Sequence, residues 1–318
     1  MNKVGCEGIK YLDRDALYHQ LKNFTKGMAV TKDKFEMLIP NCKLEDIEWN
    51  HMDQMHRPTI HNTYEKGIRI ACGERFAVSL TQWAKWPFFI TVTDVYVEQG
   101  VFYQSLSIAG IIFVHSIITM EVQGDGIKLV DEWFIASKRI FKPIQWILNK
   151  KLHKLNYRLQ IEDEPVRQGR FFLRKKGYRF NTDSPDYLNS NLMKHNTRYP
   201  IDDEVMELDL LGVGPEAVTK TSHGIDFLVK CEDNRFYIWP AVCPHEGGPL
   251  SKGSCDHDQI TCPWHGLKFM AVQLSQEKPM AQRYGFNYEL KDNKVYVVKL
   301  NQLFDCKSEL KEASSDYK

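Results

Sequence analysis

The chain of 318 residues is long enough for two domains of ordinary size but hardly for three. Apolar residues make up 43% and charged residues 26%, which excludes collagen-like, coiled-coil and wholly disordered proteins. Lysine and arginine number 42 against 41 acidic residues, so the bulk charge indicates no nucleic-acid partner.

The start of the chain predicts no secretory signal, because no apolar segment precedes the charged residues Asp13 and Arg14. The longest apolar stretch, 106–120, is too short for a membrane-spanning helix and is rich in β-branched residues, so we predict a buried strand. Eight cysteines are far below the density of disulfide-stapled proteins. We therefore expect a reducing, cytoplasmic setting in which cysteines serve as thiols or metal ligands.

The elements predicted in chain order are short helices and turns over 11–45, mostly strands over 68–137, and then a long helical region. From about residue 138, apolar residues recur at helical spacing: Ile144, Ile147, Leu148, Leu152, Leu155 and Leu159. A second helical segment is predicted to begin near Pro165 and to end at Gly177. Residues 205–300 return to strand-like patterns.

The strongest motif is Cys243-Pro-His245, followed after sixteen residues by Cys262-Pro-Trp-His265. Each half places one thiolate and one imidazole on a short loop. Two Cys and two His could form a tetrahedral zinc site. However, the glycine-bearing turns that follow each His suit two loops that close over a flat object. Cys-x-His and Cys-x-x-His at this separation are the ligand pattern of a Rieske centre, in which two Cys bind one iron and two His the other.

Residues 205–300 therefore resemble a Rieske [2Fe-2S] domain, which implies a cluster held by the four motif residues. Respiratory-chain members carry a further Cys in each loop, where this chain has Gly248 and Trp264. The domain is thus similar to the ferredoxin and oxygenase type, although Leu267 stands where oxygenases often have Trp. Cys255-Asp-His257 repeats the Cys-x-His pattern too close to Cys262, and we predict a surface loop there.

A weaker motif lies near the N-terminus, where Asp53, His56 and His61 form Asp-x-x-His-x-x-x-x-His. Two His and one carboxylate on one face of a metal are typical of non-haem iron oxygenases. Residues five apart are separated by about 140° on a helix, so His56 and His61 converge only if the helix bends, which Pro58 would allow. His51 is also five residues from His56 and could replace the 56/61 pair.

This pattern resembles the catalytic domain of Rieske non-haem iron oxygenases. The resemblance implies that Asp53 bridges cluster and iron, and that the segment Ile161–Arg170 supplies the third iron ligand, Asp163. Asp163 could instead be a helix N-cap two residues before Pro165, and the histidines could be polar residues that line a groove. The family's catalytic domain has a helix-grip (START-like) fold, in which a curved antiparallel sheet encloses an apolar cavity. The domain order here is the reverse of the usual one.

We thus predict a two-domain α+β protein. Residues 1–185 would form a helix-grip domain with a mononuclear Fe(II) site, 186–202 a linker, 203–300 an all-β Rieske domain and 301–318 a polar tail. The resemblance implies an oxygenase that receives NAD(P)H electrons through a flavin reductase or a ferredoxin. With O₂ it would hydroxylate, demethylate or desaturate a small apolar or aromatic substrate. The alternatives are an electron-transfer protein or redox sensor whose N-terminal domain binds a ligand without catalysis. Assembly into a homo-oligomer is compatible with this prediction.

Residues 138–179 hold thirteen Lys and Arg against three acidic residues. The segment could be a solvated helix face, a docking surface for an acidic electron donor, or a peripheral membrane contact, since Ile140 and Trp146 are interleaved with the basic residues.

Overall fold

The computed structural model describes residues 13–73, 75–83, 89–108, 110–183, 197–200 and 205–300. The chain forms two compact units, with the division between Arg167 and Gln168, inside the long helix Lys142–Lys175. Most of the predicted linker and the whole of the predicted tail 301–318 lie outside the described residues. The domain limits at 185 and 203 stay predictions.

The first unit is built on one seven-stranded antiparallel sheet with the strand order β1-β7-β6-β5-β4-β3-β2. Its elements are α1 (Arg14–Phe24), β1 (Ala29–Pro40), α2 (Leu44–Met52), a 3-10 helix (Gln54–His56), α3 (Arg57–Ile60), β2 (Tyr64–Cys72), β3 (Phe76–Trp83), β4 (Phe89–Glu98), β5 (Val101–Ile108), β6 (Ile112–Gln123), β7 (Gly126–Ser137), a 3-10 helix (Arg139–Phe141) and the long helix α4 (Lys142–Lys175). The predicted antiparallel sheet and long late helix are confirmed, and this arrangement resembles the helix-grip fold.

The edge strand β1 corrects the prediction of helices and turns over 11–45. It pairs with β7 along its whole length, from Ala29 opposite Ser137 to Pro40 opposite Gly126. Exposed residues alternate along the strand with partly or fully buried ones. Phe35 and Ile39, on the inner face, are 7% and 1% exposed. A period of two with one solvated face is the signature of an edge strand in an antiparallel sheet.

Helix α4 runs without a break through Pro165, so the predicted second helix start at this residue is wrong. Proline removes one helical hydrogen bond, but side chains link the turns before and after it. Arg167 donates to Gln160 Oε1 at 2.6 Å and to Asp163 Oδ2 at 3.1 Å. Asp163 is therefore an interior helical residue, not an N-cap.

The buried face of α4 is largely polar. Gln145 donates to the carbonyl of Ala29 and to Ser137, both at 2.8 Å, which fixes the start of the helix against the sheet. Of the six apolar residues at helical spacing, Ile144 and Ile147 are 47% and 51% exposed. The other four, farther along the helix, are buried or half-buried. The apolar periodicity therefore misassigns the buried side only at the start of the helix.

Exposed apolar side chains accompany the basic residues at the start of α4. Ile140 is 77% and Trp146 61% exposed, and Lys150 Nζ lies 3.8 Å from the Trp146 ring centroid. The three readings of this surface stay predictions. Within the part of the chain that the structure describes, every helix is too short or too polar to cross a membrane.

The second unit carries three antiparallel sheets, with the strand orders β15-β11-β10-β9, β12-β13-β14 and β16-β17-β18-β8. The strands are β8 (Val205–Asp209), β9 (Val218–Ser222), β10 (Ile225–Glu232), β11 (Arg235–Pro240), β12 (Ser254–Asp256), β13 (Gln259–Thr261), β14 (Lys268–Met270), β15 (Val272–Leu274), β16 (Met280–Arg283), β17 (Phe286–Lys291) and β18 (Lys294–Lys299). Two 3-10 helices, Asn181–Asp183 and Leu250–Lys252, complete the unit. Its core includes Phe227, Trp239 and Phe286, each fully buried. The all-β architecture predicted for this region is confirmed.

Candidate metal centres

Two loops with the same backbone hydrogen bonds carry the four predicted cluster ligands. In the loop after β11, the Cys243 N–H donates to the Gly248 carbonyl at 2.7 Å, and the Gly247 N–H donates to the Cys243 carbonyl at 2.9 Å. The loop after β13 repeats both bonds from Cys262, at 2.7 and 2.9 Å. The glycine four residues after each Cys has a positive φ, +88° at Gly247 and +67° at Gly266, which a residue with a side chain rarely adopts. The two motifs thus fold into matched loops.

The side chains of these loops fit a Rieske cluster. The thiols of Cys243 and Cys262 share a hydrogen bond and are at most 1% exposed. The rings of His245 and His265 lie 4.9 Å apart between centroids. Burial and the neighbouring thiol raise the pKa of Cys243, whereas the hydrogen bond with Cys243 lowers the pKa of Cys262 to about 7. Paired thiols and paired imidazoles are the donor set that the [2Fe-2S] centre requires.

Gly248 leaves room for the second thiol. A Cβ atom at this position would lie 2.6 Å from Cys262 Sγ, closer than any real contact. A side chain at Gly248 is therefore incompatible with this loop as folded, and the six described cysteines are all free. Cys255 is exposed in β12, and His257 follows at the turn of the hairpin, as predicted for a surface loop.

The predicted histidine pair lies where the chain leaves helical conformation. His56 ends the 3-10 helix, and Pro58 stands in the first turn of α3. His61 follows α3 with the extended angles φ −100° and ψ 115°. Because of this exit, both imidazoles reach the same carboxylate on α4. Nε2 of His56 and Nε2 of His61 each lie 3.3 Å from Asp163 Oδ1.

The three side chains offer ligand atoms that all lie within 4.8 Å of one another, and all three residues are buried. Metal–nitrogen and metal–oxygen bonds are about 2 Å long, so ligands about 3 Å apart are close enough to share one ion. The donors form the two-His-one-carboxylate set of non-haem iron sites, which leaves positions open for other ligands. The residues present therefore fit a mononuclear iron.

Each imidazole also has a carboxylate at its other nitrogen. Asp53 Oδ2 lies 3.5 Å from His56 Nδ1, and Glu162 Oε2 lies 3.0 Å from His61 Nδ1. Such partners orient the rings of metal-ligating histidines and increase their basicity. The role of Glu162 was missed in the sequence, although its position directly before Asp163 was visible.

Two further residues that the sequence reasoning missed hold Asp163. Arg167, one helical turn after Asp163 on α4, pairs with its Oδ2. Asn50, which lies on α2, donates to Asp163 Oδ1 over a distance of 3.4 Å. Asn50 Oδ1 in turn accepts from Arg167 Nε at 2.9 Å. These contacts fix the orientation of the carboxylate.

The pKa values follow from burial and from this network. Burial alone lowers the pKa of His56, but its hydrogen bonds with Asp163 and Asp53 outweigh the effect and raise the pKa to about 9. Burial favours the neutral form of Asp163, yet Arg167 and the imidazoles hold its pKa well below the ordinary value. Burial lowers the pKa of His61. A cation bound by these donors would displace the proton between His56 and Asp163.

His51, the alternative ligand, lies outside this group of three. Its ring packs 5.4 Å from the Phe102 ring, and burial lowers its pKa to about 3. Its Nε2 has no hydrogen-bond partner among the residues that the structure describes. The structure brings His56 and His61 to Asp163, and it leaves His51 as a neutral side chain on the wall of a cavity.

This cavity of about 90 Å³ lies beside the three candidate ligands, between the sheet and α4. Its wall is part apolar, with Trp83, Val114, Ile118, Trp133, Leu152 and Leu159 among the lining residues. Small-molecule sites usually combine an apolar wall with placed polar groups, and here polar residues make up about half of the lining.

Comparison with known proteins defines the class of the second unit. The model of the Rieske [2Fe-2S] domain family matches residues 204–297. This segment is therefore a Rieske [2Fe-2S] domain, and the prediction of the domain and its cluster is confirmed. Ferredoxin CarAc of Metapseudomonas resinovorans is 35% identical over 66 residues, which cover 20% of this chain and 62% of the ferredoxin. The chain thus spans less than two thirds of this relative.

Solved structures that match this chain do so with low TM-scores and low sequence identity. Norcoclaurine synthase of Thalictrum flavum matches 52% of this chain and 99% of its own, with a TM-score of 0.37 and 12% identity. Zhui aromatase/cyclase of Streptomyces sp. R1128 matches 44% of this chain and 97% of its own, with a TM-score of 0.35 and 12% identity.

Proposed function

We propose that this protein is a Rieske-type oxygenase with a mononuclear iron at His56, His61 and Asp163. One observation carries the proposal: three residues that are predicted from two distant segments converge on one buried point, in a chain that also contains a Rieske domain. Asp163 is 102 positions after His61, so no local motif enforces this meeting.

The chain's own residues would prepare the site. Asp53 and Glu162 orient the two imidazoles, and Arg167 holds the carboxylate. The buried position of the ligands excludes water, and the adjacent cavity would place an apolar substrate beside them. When bound, the cluster would supply single electrons and the iron would supply activation of O₂.

Electrons would come from NAD(P)H through a separate flavin reductase or ferredoxin. The Rieske domain supports this, because such a domain moves electrons and needs a donor. The substrate would be a small apolar molecule. Hydroxylation, demethylation and desaturation all remain compatible with the site.

The test is metal analysis of the full chain, purified anaerobically. We expect about three irons and about two acid-labile sulfides per chain, the sum of one cluster and one mononuclear site. Paramagnetic resonance of the reduced protein should show the Rieske signal. Two irons and two sulfides, with no further iron bound on addition of Fe(II), would exclude the oxygenase.

The second candidate is an electron-transfer protein whose first unit binds a ligand without iron. The similarity to a ferredoxin favours it, as does the internal balance of charge at the candidate site, where Arg167 already pairs with Asp163. In that case the cluster would load fully, and His56→Ala would leave the iron content unchanged.

Asp53→Asn should slow reoxidation of the reduced cluster about 10–100-fold in a single turnover, the range expected when the partner of a metal-ligating histidine is altered. The proposed reason is that the Asp53 carboxylate lies beside Nδ1 of His56 and serves as the bridge for the electron. Stopped-flow absorbance of the cluster under O₂ measures the rate, and metal analysis should show that both sites stay loaded.

Glu162→Gln is the matched control, because Glu162 stands to His61 as Asp53 stands to His56. It should weaken iron binding without a comparable loss in the rate of electron transfer per bound iron. Equal slowing in both variants would assign Asp53 a supporting role for the iron alone.

A further inference from the structure

A second polar group of the cavity lies away from the candidate iron ligands. Asp131 on β7 is 7% exposed and lines the cavity together with Ser116 and Asn156. Ser116 donates to one carboxylate oxygen, and Asn156 Nδ2 on α4 donates to the other at 2.8 Å. The proposed oxygen chemistry uses none of these three residues. A buried carboxylate in a largely apolar sheet costs stability, which makes a role in binding worth testing.

The distance from this cluster to the iron ligands follows from the helix. Asn156 and Asp163 are seven residues apart on α4, which corresponds to about 10 Å along the axis and nearly the same face. Between them on α4, Leu159 and Gln160 line the cavity, and Leu152 and Trp133 add buried apolar side chains to its wall. One wall of the cavity therefore runs from the group at Asp131, past Leu159 and Gln160, to the candidate metal site.

The hydrogen-bond inventory at Asp131 suits a hydroxyl group better than a cation. Two neighbours, Ser116 and Asn156, already donate to the carboxylate, and Ser116 uses its only hydroxyl hydrogen to do so. A ligand can therefore meet the remaining lone pairs of the carboxylate and the second N–H of the Asn156 amide. A hydroxyl can donate to the carboxylate and accept from that N–H, whereas an ammonium group has no lone pair with which to accept. Burial also raises the pKa of Asp131 to about 7, against the opposing hydrogen bond from Ser116, so the carboxyl carries full charge only above neutral pH.

We propose that Asp131, Ser116 and Asn156 bind a hydroxyl group of an apolar substrate whose reacting carbon lies about 10 Å away, at the iron site. This inference rests on the proposed function for the reacting end of the substrate. The hydroxyl site itself is defined by the cavity and by the three side chains.

The experiment uses two rigid probes that differ by one hydroxyl, phenol and benzene, with calorimetric titration of the cluster-loaded protein at about pH 8.5, above the pKa of Asp131, in the absence of any electron donor. The wild-type chain should bind phenol about tenfold or more tightly than benzene, the size expected for one hydrogen bond to a charged group. Asp131→Leu should reduce this ratio to about threefold or less, mainly through loss of phenol affinity. Asp131→Asn, which keeps the shape and one acceptor, should give an intermediate ratio.

Val114→Ala is the matched control, because Val114 lines the same cavity without a polar group. It should weaken both probes alike and leave their ratio unchanged. Equal affinity of the two probes for the wild-type chain, or an unchanged ratio in both Asp131 variants, would overturn the proposal. Tighter binding of benzylamine than of phenol would overturn the assignment to a hydroxyl.

Fe(II) binding, measured separately on the same samples, distinguishes the two proposals. If the chain prefers the hydroxyl probe through Asp131 but takes up no third iron, the hydroxyl site is supported and the proposed oxygenase function is refuted. If it takes up a third iron but shows no such preference, only the hydroxyl site is refuted.

Discussion

Cys243→Ser is expected to abolish the visible absorbance and the paramagnetic signal of the cluster, with the loss of about two irons and two sulfides per chain. The thiol is fully buried, shares a hydrogen bond with Cys262, and sits in a loop whose backbone is closed by two hydrogen bonds of its own. Serine would preserve that backbone but replace the thiolate that binds iron. His265→Ala should have the same effect from the other side of the cluster. Iron and sulfide analysis together with absorbance checks both.

Cys255→Ser provides the control that the chain itself offers. Cys255 begins a Cys-x-His sequence like that of Cys243, but it is exposed in β12. Its substitution should leave iron, sulfide and absorbance unchanged. A normal cluster in Cys243→Ser, or loss of the cluster in Cys255→Ser, would contradict the ligand assignment. Circular dichroism should accompany each variant, since an unfolded protein would lose the cluster for a trivial reason.

The meeting of the four candidate cluster ligands could be predicted from the sequence because each pair forms locally. Cys243 and His245 share one short loop, Cys262 and His265 another, and the loops close through hydrogen bonds within five residues. Only the approach of one loop to the other depends on the fold. Few other classes of site have this residue pattern at this spacing, so one motif was sufficient to predict the type of centre.

The three candidate iron ligands were harder to predict because their convergence depends on the packing of α4 against the sheet and helices of the first unit. His56 and His61 stand in one segment, but Asp163 belongs to the helix after the last strand. Its local sequence suited an N-cap equally well, since a carboxylate two residues before a proline is common to both roles. The resemblance to Rieske oxygenases, not the local pattern, selected Asp163.

The errors in α4 and β1 have different causes. The start of α4 exposes apolar residues and buries a polar one, as Ile147 and Gln145 show, so hydrophobic periodicity alone misassigns the buried side there. β1 was missed because only Phe35 and Ile39 on its inner face are fully buried, which leaves a weak period of two. Asp131 carried a readable signal, since it occupies the buried phase of β7 between Leu129 and Trp133, where a charge is unexpected.

His56→Ala is expected to remove the mononuclear iron while the cluster stays intact, so that iron falls from about three to about two per chain at constant sulfide. One of three protein ligands is lost, and the change should weaken Fe(II) binding by more than the 10–100-fold typical of outer partners. The first unit should stay folded, because Asp163 keeps its contacts with Arg167 and Asn50. Oxygen-dependent turnover should disappear, whereas reduction of the cluster by a donor should continue. Metal analysis and Fe(II) titration measure the effect.

His51→Phe is the matched control for this prediction, because His51 is the same residue type, five positions earlier, on the same cavity wall. Phenylalanine keeps an aromatic ring against Phe102 but has no metal-binding atom. Since His51 lies outside the group formed by His56, His61 and Asp163, the variant should retain the third iron. Loss of iron in His51→Phe with retention in His61→Ala would move the site to the 51/56 pair. Full iron content in His56→Ala would mean that the histidines and Asp163 form an ion-pair network without a metal, and the first unit would then be a ligand-binding partner of an electron carrier.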